Sequence, residues 1–115
     1  MNCWKIDYYE TSSGRTPVKE FIDKLAEKPQ AKVYNTLELL TEFGPRLGLP
    51  HAKKVKSTPL WELRVLGEKS LRFFYIAKVG KSFLLLHGFT KKRQKTPKKE
   101  IKTALKRLRD YESRN

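Results

Sequence analysis

Two periods alternate along this 115-residue chain. Residues 4–10, Trp-Lys-Ile-Asp-Tyr-Tyr-Glu, alternate apolar and polar side chains with aromatic and β-branched content, which is the period of a half-buried strand. The segment from Thr11 to Arg15 breaks that alternation, and Thr16-Pro17 offers a capping hydroxyl followed by a proline suited to a first helical turn. Val18, Phe21, Ile22 and Leu25 recur at helical spacing, predicting a helix that Pro29 limits. A second helix is expected from about residue 30 to 43, with Val33, Leu37 and Leu40 on one stripe and Gly44-Pro45 as its stop. Residues 46–59 hold Gly48, Pro50 and Pro59 with Lys53, Lys54 and Lys56 between them and read as a basic loop.

The period then returns to two. Residues 60–66 put Trp61, Leu63 and Val65 on one face and Glu62 and Arg64 on the other, and residues 71–79 set Leu71, Phe73, Tyr75 and Ala77 against Arg72, Phe74, Ile76 and Lys78. If the turn around Gly67-Glu68-Lys69 lets the two apolar sets share a face, Arg64 falls beside Arg72 on the other. After a turn at Gly80, residues 83–87 are nearly continuous apolar sequence, as in a strand buried on both sides or covered by helices. Thr96-Pro97 repeats the start signal, Glu100 suits the positive end of a helix, and Ile101, Ala104, Leu105 and Leu108 form a last apolar stripe, leaving 112–115 as a frayed tail. The order β-α-α-β-β-β-α predicts one α+β domain over residues 1–115, a mostly antiparallel four-stranded sheet with helices packed on one face. The other face is expected to stay partly open, with Glu62, Arg64 and Arg72 on it.

Charge adds a function class to this fold. The formal net charge is +14, and it is confined to one part of the chain: residues 1–44 carry six basic and seven acidic side chains, residues 45–115 twenty and five. Clustered lysine and arginine repel one another unless a polyanion neutralises them, so nucleic acid or an acidic protein is the expected partner. Cys3 is the single cysteine, which excludes an intramolecular disulfide framework and fits a reducing cytoplasm. No Cys/His spacing resembles a zinc site, no segment has membrane-spanning length, and the N-terminus lacks the apolar run of a signal peptide. Neither metal nor cofactor is expected.

Two arginines side by side on antiparallel strands are costly unless an anion bridges them, and the planar fork of arginine holds phosphate oxygens bidentately. A surface ion pair with Glu62 is the plainer explanation of either arginine. RNA carries its own nucleophile in the 2′-OH, so cleavage needs a proton acceptor, a proton donor and positive charge for the developing phosphorane, all without a metal. Glu62 is the candidate acceptor, with Arg64, Arg72 and Lys92 as the candidate cations. His87 has the best intrinsic pKa for proton transfer, but its apolar strand favours a hydrogen-bonded core histidine, and His51 in the basic loop reads equally well as solvated. Lys91, Arg93, Lys95, Lys98, Lys99 and Lys102 belong to a run of ten basic residues and one acid between positions 91 and 109, the strongest nucleic-acid signal; Lys53, Lys54 and Lys56 extend it. Trp61, Phe74 and Tyr75 are stacking candidates if exposed, although Trp61 and Tyr75 share the apolar parity.

The segments Leu60-Trp61-Glu62-Leu63-Arg64, Leu71-Arg72-Phe73-Phe74-Tyr75 and Leu86-His87-Gly88-Phe89-Thr90-Lys91-Lys92-Arg93-Gln94-Lys95-Thr96-Pro97, in this order, resemble the phage-derived Gp49-like branch of HigB toxins in the RelE/ParE superfamily. The likeness extends to residues 17–21 and 100–111. It implies a RelE-like fold and a ribosome-dependent messenger RNA endonuclease, held inactive by a HigA-like helix-turn-helix antitoxin. Arg72 matches the phosphate-stabilising arginine of the third strand, and Arg64 and Lys91 or Lys92 match other basic positions. The chain departs from some RelE toxins in having Glu62 where they are basic and no tyrosine just after Lys95. A ParE-like gyrase inhibitor and a non-catalytic nucleic-acid-binding protein are the competing readings, because fold alone does not separate them.

Overall fold

The computed structural model describes residues 3–68, 71–92 and 94–115. Among the described residues five strands and three helices follow one another as β1 (Lys5–Tyr8), α1 (Pro17–Asp23), α2 (Glu27–Phe43), β2 (Ala52–Lys54), β3 (Trp61–Arg64), β4 (Leu71–Lys78), β5 (Ser82–Thr90) and α3 (Lys98–Arg114), with a short 3-10 turn at Gly44–Arg46. The sheet order is β1-β5-β4-β3-β2. It is a mixed five-stranded sheet, not the four mostly antiparallel strands expected: β1 runs parallel to β5, and the basic loop contributes β2 as an antiparallel edge. Three residues with two exposed lysines are too short to show a period, and lysine on an edge strand discourages pairing with another chain.

Helices cover both faces, not one. α1 and α2 pack Val18, Ile22, Val33, Leu37 and Leu40 against Leu63, Phe73, Tyr75, Phe83 and Leu85, while α3 packs Ala104 and Leu108 on the other face against Phe74, Leu84 and Leu86. The cause is the doubly apolar sequence of β5, which presents large side chains to either side and needs a cover on each. The arginine register is the one the hydrophobic pattern requires, with Leu63 opposite Phe73 and Arg64 opposite Arg72.

Local signals misled at three points. Pro29 does not bound α1; it sits in the first turn of α2, where its missing N–H leaves no hydrogen bond unmade. Neither Thr16 nor Thr96 caps its helix through the side chain. Residues 112–114 are helical, not frayed, and Arg114 anchors them by pairing with Asp110 at 2.7 Å and donating to the Glu10 carbonyl.

Candidate functional site: a basic cleft around Glu62

Strand register places the site residues in two rows across the α3 face. Lys53, Glu62, Phe74 and His87 are successive partners from β2 to β5, and Arg64, Arg72 and Phe89 form the next row. Phe74, 5.1 Å from Phe89 between ring centroids, fills the middle of the face, so the charged groups divide into one cluster on the β3 side and another on the β5 side.

The first cluster is centred on Glu62, which is only 6% exposed. Its Oε1 lies 3.4 Å from Arg64 Nε and 3.9 Å from Arg72 Nε, and its Oε2 accepts a hydrogen bond from the Thr96 hydroxyl at 3.2 Å. A carboxylate is buried at such cost only if it is paired and hydrogen-bonded, and here it offsets the repulsion of the two facing arginines. Burial pushes the Arg72 guanidinium below its ordinary value, against the pull of Glu62, and Arg64 adds to the depression. It remains cationic at neutral pH. Arg72 also donates through Nη1 to the Leu71 carbonyl at 3.0 Å. The two arginines differ in access, with 29% of the Arg64 side chain exposed against 14% for Arg72.

Glu62 and Arg64 form part of the wall of a cleft of about 290 Å³, closed on one side by Lys53, Lys54 and Lys56 and on the other by Lys91, Gln94, Lys95 and Thr96. Five lysines and an arginine thus surround one buried acid. The structure gathers Lys53, Lys54, Lys56, Glu62, Arg64, Lys91 and Lys95, and keeps Arg72 off this wall with its Nε 3.9 Å from Glu62 Oε1. It leaves Lys92 exposed outside this wall, and Lys98, Lys99 and Lys102 on the exposed side of α3. Arg93 lies outside the described residues. The stacking candidates do not reach the cleft: Phe74 and Tyr75 are buried, and Trp61, 37% exposed, sits on the opposite parity beside Tyr75. Thr96 and Gln94 were missed by the sequence reading. The sequence pointed elsewhere for Thr96, marking it as a helix-capping hydroxyl, whereas Pro97 takes the N-cap position and the Thr96 hydroxyl donates to Glu62.

His87 belongs to the second cluster. The β4–β5 register slips between Phe74 and Tyr75, so that Phe74 faces His87 and Tyr75 faces Leu85, with Leu86 as the extra residue of a bulge. Leu86 and His87 therefore both serve the α3 face. Arg107 donates to the Leu86 carbonyl at 2.9 Å and to His87 Nδ1 at 3.2 Å, and Nε2 lies 2.7 Å from Glu100 Oε1. Since arginine only donates, Nδ1 is the acceptor and Nε2 carries the proton. Burial holds the His87 pKa below its ordinary value, with Glu100 acting upward and Arg107 downward. This is the hydrogen-bonded histidine of the core reading, with both ring nitrogens occupied. Among the described residues, no three His, Cys, Asp or Glu side chains gather as metal ligands do, and no helix is long and apolar enough to cross a membrane.

The segment that builds both clusters, from Lys53 on β2 to Arg107 on α3, falls inside the match of a family-wide sequence description, phage-derived protein Gp49-like, which covers residues 20–109. The chain belongs to the phage-derived Gp49-like family. Gp49-like proteins are a RelE/HigB-like toxin family, and membership implies an antitoxin partner in general terms. No curated protein matches the chain.

Proposed function

We propose that this Gp49-like protein is the toxin of a type II toxin–antitoxin pair and an endoribonuclease that cuts messenger RNA on the ribosome. The observation that carries the reading is the basic cleft built around a buried Glu62 between two arginines. Its lysines suit a single-stranded phosphate backbone, and its one acid, Glu62, is the candidate proton acceptor. In this reaction the 2′-oxygen bonds to the adjacent phosphorus, its proton passes to Glu62, and the bond from phosphorus to the 5′-oxygen breaks. Arg64, the more accessible arginine, contacts the phosphate and draws away from Glu62, freeing Oε1 to accept. Arg72, paired with Glu62, stabilises the same developing charge, and a lysine of the segment after β5, Lys91 on the cleft wall or its neighbour Lys92, protonates the leaving oxygen. The chemistry draws on no cofactor or metal, and a HigA-like helix-turn-helix antitoxin is the partner that silences it.

The test is primer extension on a translated message in a cell extract with purified protein. Discrete cuts, leaving a 2′,3′-cyclic phosphate upstream and a 5′-hydroxyl downstream, are expected. An intact message together with loss of gyrase supercoiling would replace this reading by a gyrase inhibitor; an intact message with retained RNA binding would leave a non-catalytic binding protein.

A further inference from the structure

Thr96 and Glu100 stand at the start of α3, about one helical turn apart, and tie it to the sheet at two separate strands. Thr96 reaches Glu62 on β3, and Glu100 reaches His87 at the bulge of β5. Further along the same stripe, Arg107 holds the other nitrogen of His87 and the Leu86 carbonyl. The His87 ring is fixed in addition by stacking on Phe89, with centroids 5.5 Å apart and planes 17° from parallel. The histidine thus receives α3 from both ends of its ring. The wall of the cleft formed by Gln94, Lys95 and Thr96 is the chain leading directly into that helix.

We propose that His87 is a positioning residue for the cleft: its hydrogen bonds to Glu100 and Arg107 set the first turn of α3, and the set of that turn holds Thr96 on Glu62 and Lys95 in the cleft wall. The proposal rests on the nuclease reading only for its effect on rate. The linkage from His87 to Thr96 is a property of the fold and is measurable without any reaction. His87 itself takes no proton from substrate, because its Nδ1 accepts from Arg107 and its Nε2–H is given to Glu100.

The experiment compares His87→Phe with His87→Gln, whose amide can still donate to Glu100, in wild-type and Thr96→Val backgrounds. Circular dichroism and melting serve as fold controls. For message cleavage, His87→Phe is expected to lower kcat by up to about a hundredfold, the scale of a displacement near 1 Å in a reacting group, with KM little changed because the cleft lysines remain. His87→Gln should recover most of the loss. In the Thr96→Val protein, where the link is already cut, His87→Phe should cost little more; additive losses would overturn the proposal. In parallel, the Thr96 amide resonance in a 15N–1H spectrum should move in His87→Phe and return toward its wild-type position in His87→Gln. An unmoved Thr96 resonance overturns the linkage whatever the activity. If the wild-type protein does not cleave, the nuclease reading falls, and the linkage stands or falls on this resonance alone. Should His87→Phe fail to fold, Glu100→Gln carries the same comparison.

Discussion

Glu62 on β3 and Glu100 on α3 are both fixed by side-chain partners on the α3 side of the sheet, yet their surroundings differ in one decisive respect. Glu62 lies between two arginines at 3.4 and 3.9 Å and forms part of the wall of an open cleft, whereas Glu100, on α3, meets the neutral His87 of β5 at 2.7 Å. The first arrangement holds charge in excess of what one carboxylate balances: two guanidiniums and the cleft lysines face a single acid. The second is self-contained, each polar atom of the ring spent on a protein partner. A buried polar cluster with surplus charge of one sign is poised for a ligand, while a satisfied one specifies how two elements pack.

The largest effect follows from removing a cation from the first cluster. Arg72→Ala is expected to abolish cleavage while leaving the fold intact, at about 2.7 to 4 kcal/mol of transition-state stabilisation, on the order of a hundred- to thousandfold in rate. Arg64→Ala should cost at least as much, Arg64 being the more solvent-accessible of the two and part of the cleft wall. Arg72→Lys should recover part only, for want of the bidentate fork. Primer extension with circular dichroism as fold control reads this directly, and cleavage at the wild-type rate in both alanine variants would remove the cleft from consideration as the active site.

Stability separates the clusters differently. Glu62→Ala leaves two facing arginines without their counter-charge, and a loss of about 1 to 3 kcal/mol is expected, below the range for fully buried pairs because both arginines retain some exposure to water. Adding phosphate or an RNA oligonucleotide should restore much of it. Urea midpoints with and without the anion measure the effect; an equal response in Glu100→Ala would erase the distinction drawn between the two acids.

How much of this could be read from the sequence depends on what a two-residue period can carry. Side-chain parity on β3 and β4 placed Glu62, Arg64 and Arg72 on one face and put the arginines opposite each other, since a slip of one residue would have exposed Leu63, Phe73 and Tyr75. Parity failed on β5, where simple alternation from Leu84 sends His87 to the wrong face. The warning was Gly88: a Cβ there would lie 2.6 Å from the Phe73 ring and 2.9 Å from Phe21, so this glycine faces α1 and an extra residue must precede it. Strand direction is invisible to periodicity, which is why the parallel β1 was not foreseen, whereas the second helical layer was foreshadowed by the continuous apolar run of β5 and missed only in assigning all helices to one face. The cleft lysines were found by composition, but their assembly with Thr96 depends on a hydrogen bond between positions 62 and 96 that no local pattern records.

Salt offers a finer division within the basic surface. Removing one phosphate-binding cation should reduce the slope of log affinity against log salt by about 0.7 for a single strand. Replacing Lys53, Lys54 and Lys56 by glutamine is therefore expected to flatten the slope by up to about three such steps, while Lys98, Lys99 and Lys102, exposed on α3 outside the cleft, should contribute less. Oligonucleotide titrations between about 50 and 200 mM salt cover the needed range. A flatter slope from the α3 set alone would move the RNA path onto the helix.

The smallest expected effect is a titration of the second cluster. Burial holds the His87 pKa in the folded protein below its ordinary value of 6.5, so between the folded and unfolded values the unfolded chain binds a proton that the folded protein does not. Stability from this group is accordingly complete above about pH 6.5 and falls as the pH drops through the unfolded value toward the folded one, after which it changes no further. Protonation would place an N–H at Nδ1 facing the guanidinium of Arg107, which has no acceptor to offer, while Glu100 gains a charged partner and softens the loss. Melting temperatures of the wild-type protein and His87→Gln from pH 8 to pH 5 isolate the histidine, because the surrounding carboxylates are common to both. The difference between the two proteins should be flat at high pH and change on the acid side in the direction that favours the glutamine variant. A difference independent of pH would mean that His87 does not titrate differently in the folded and unfolded chains, and the contrast between a charge-surplus cluster and a satisfied neutral one would lose its second member.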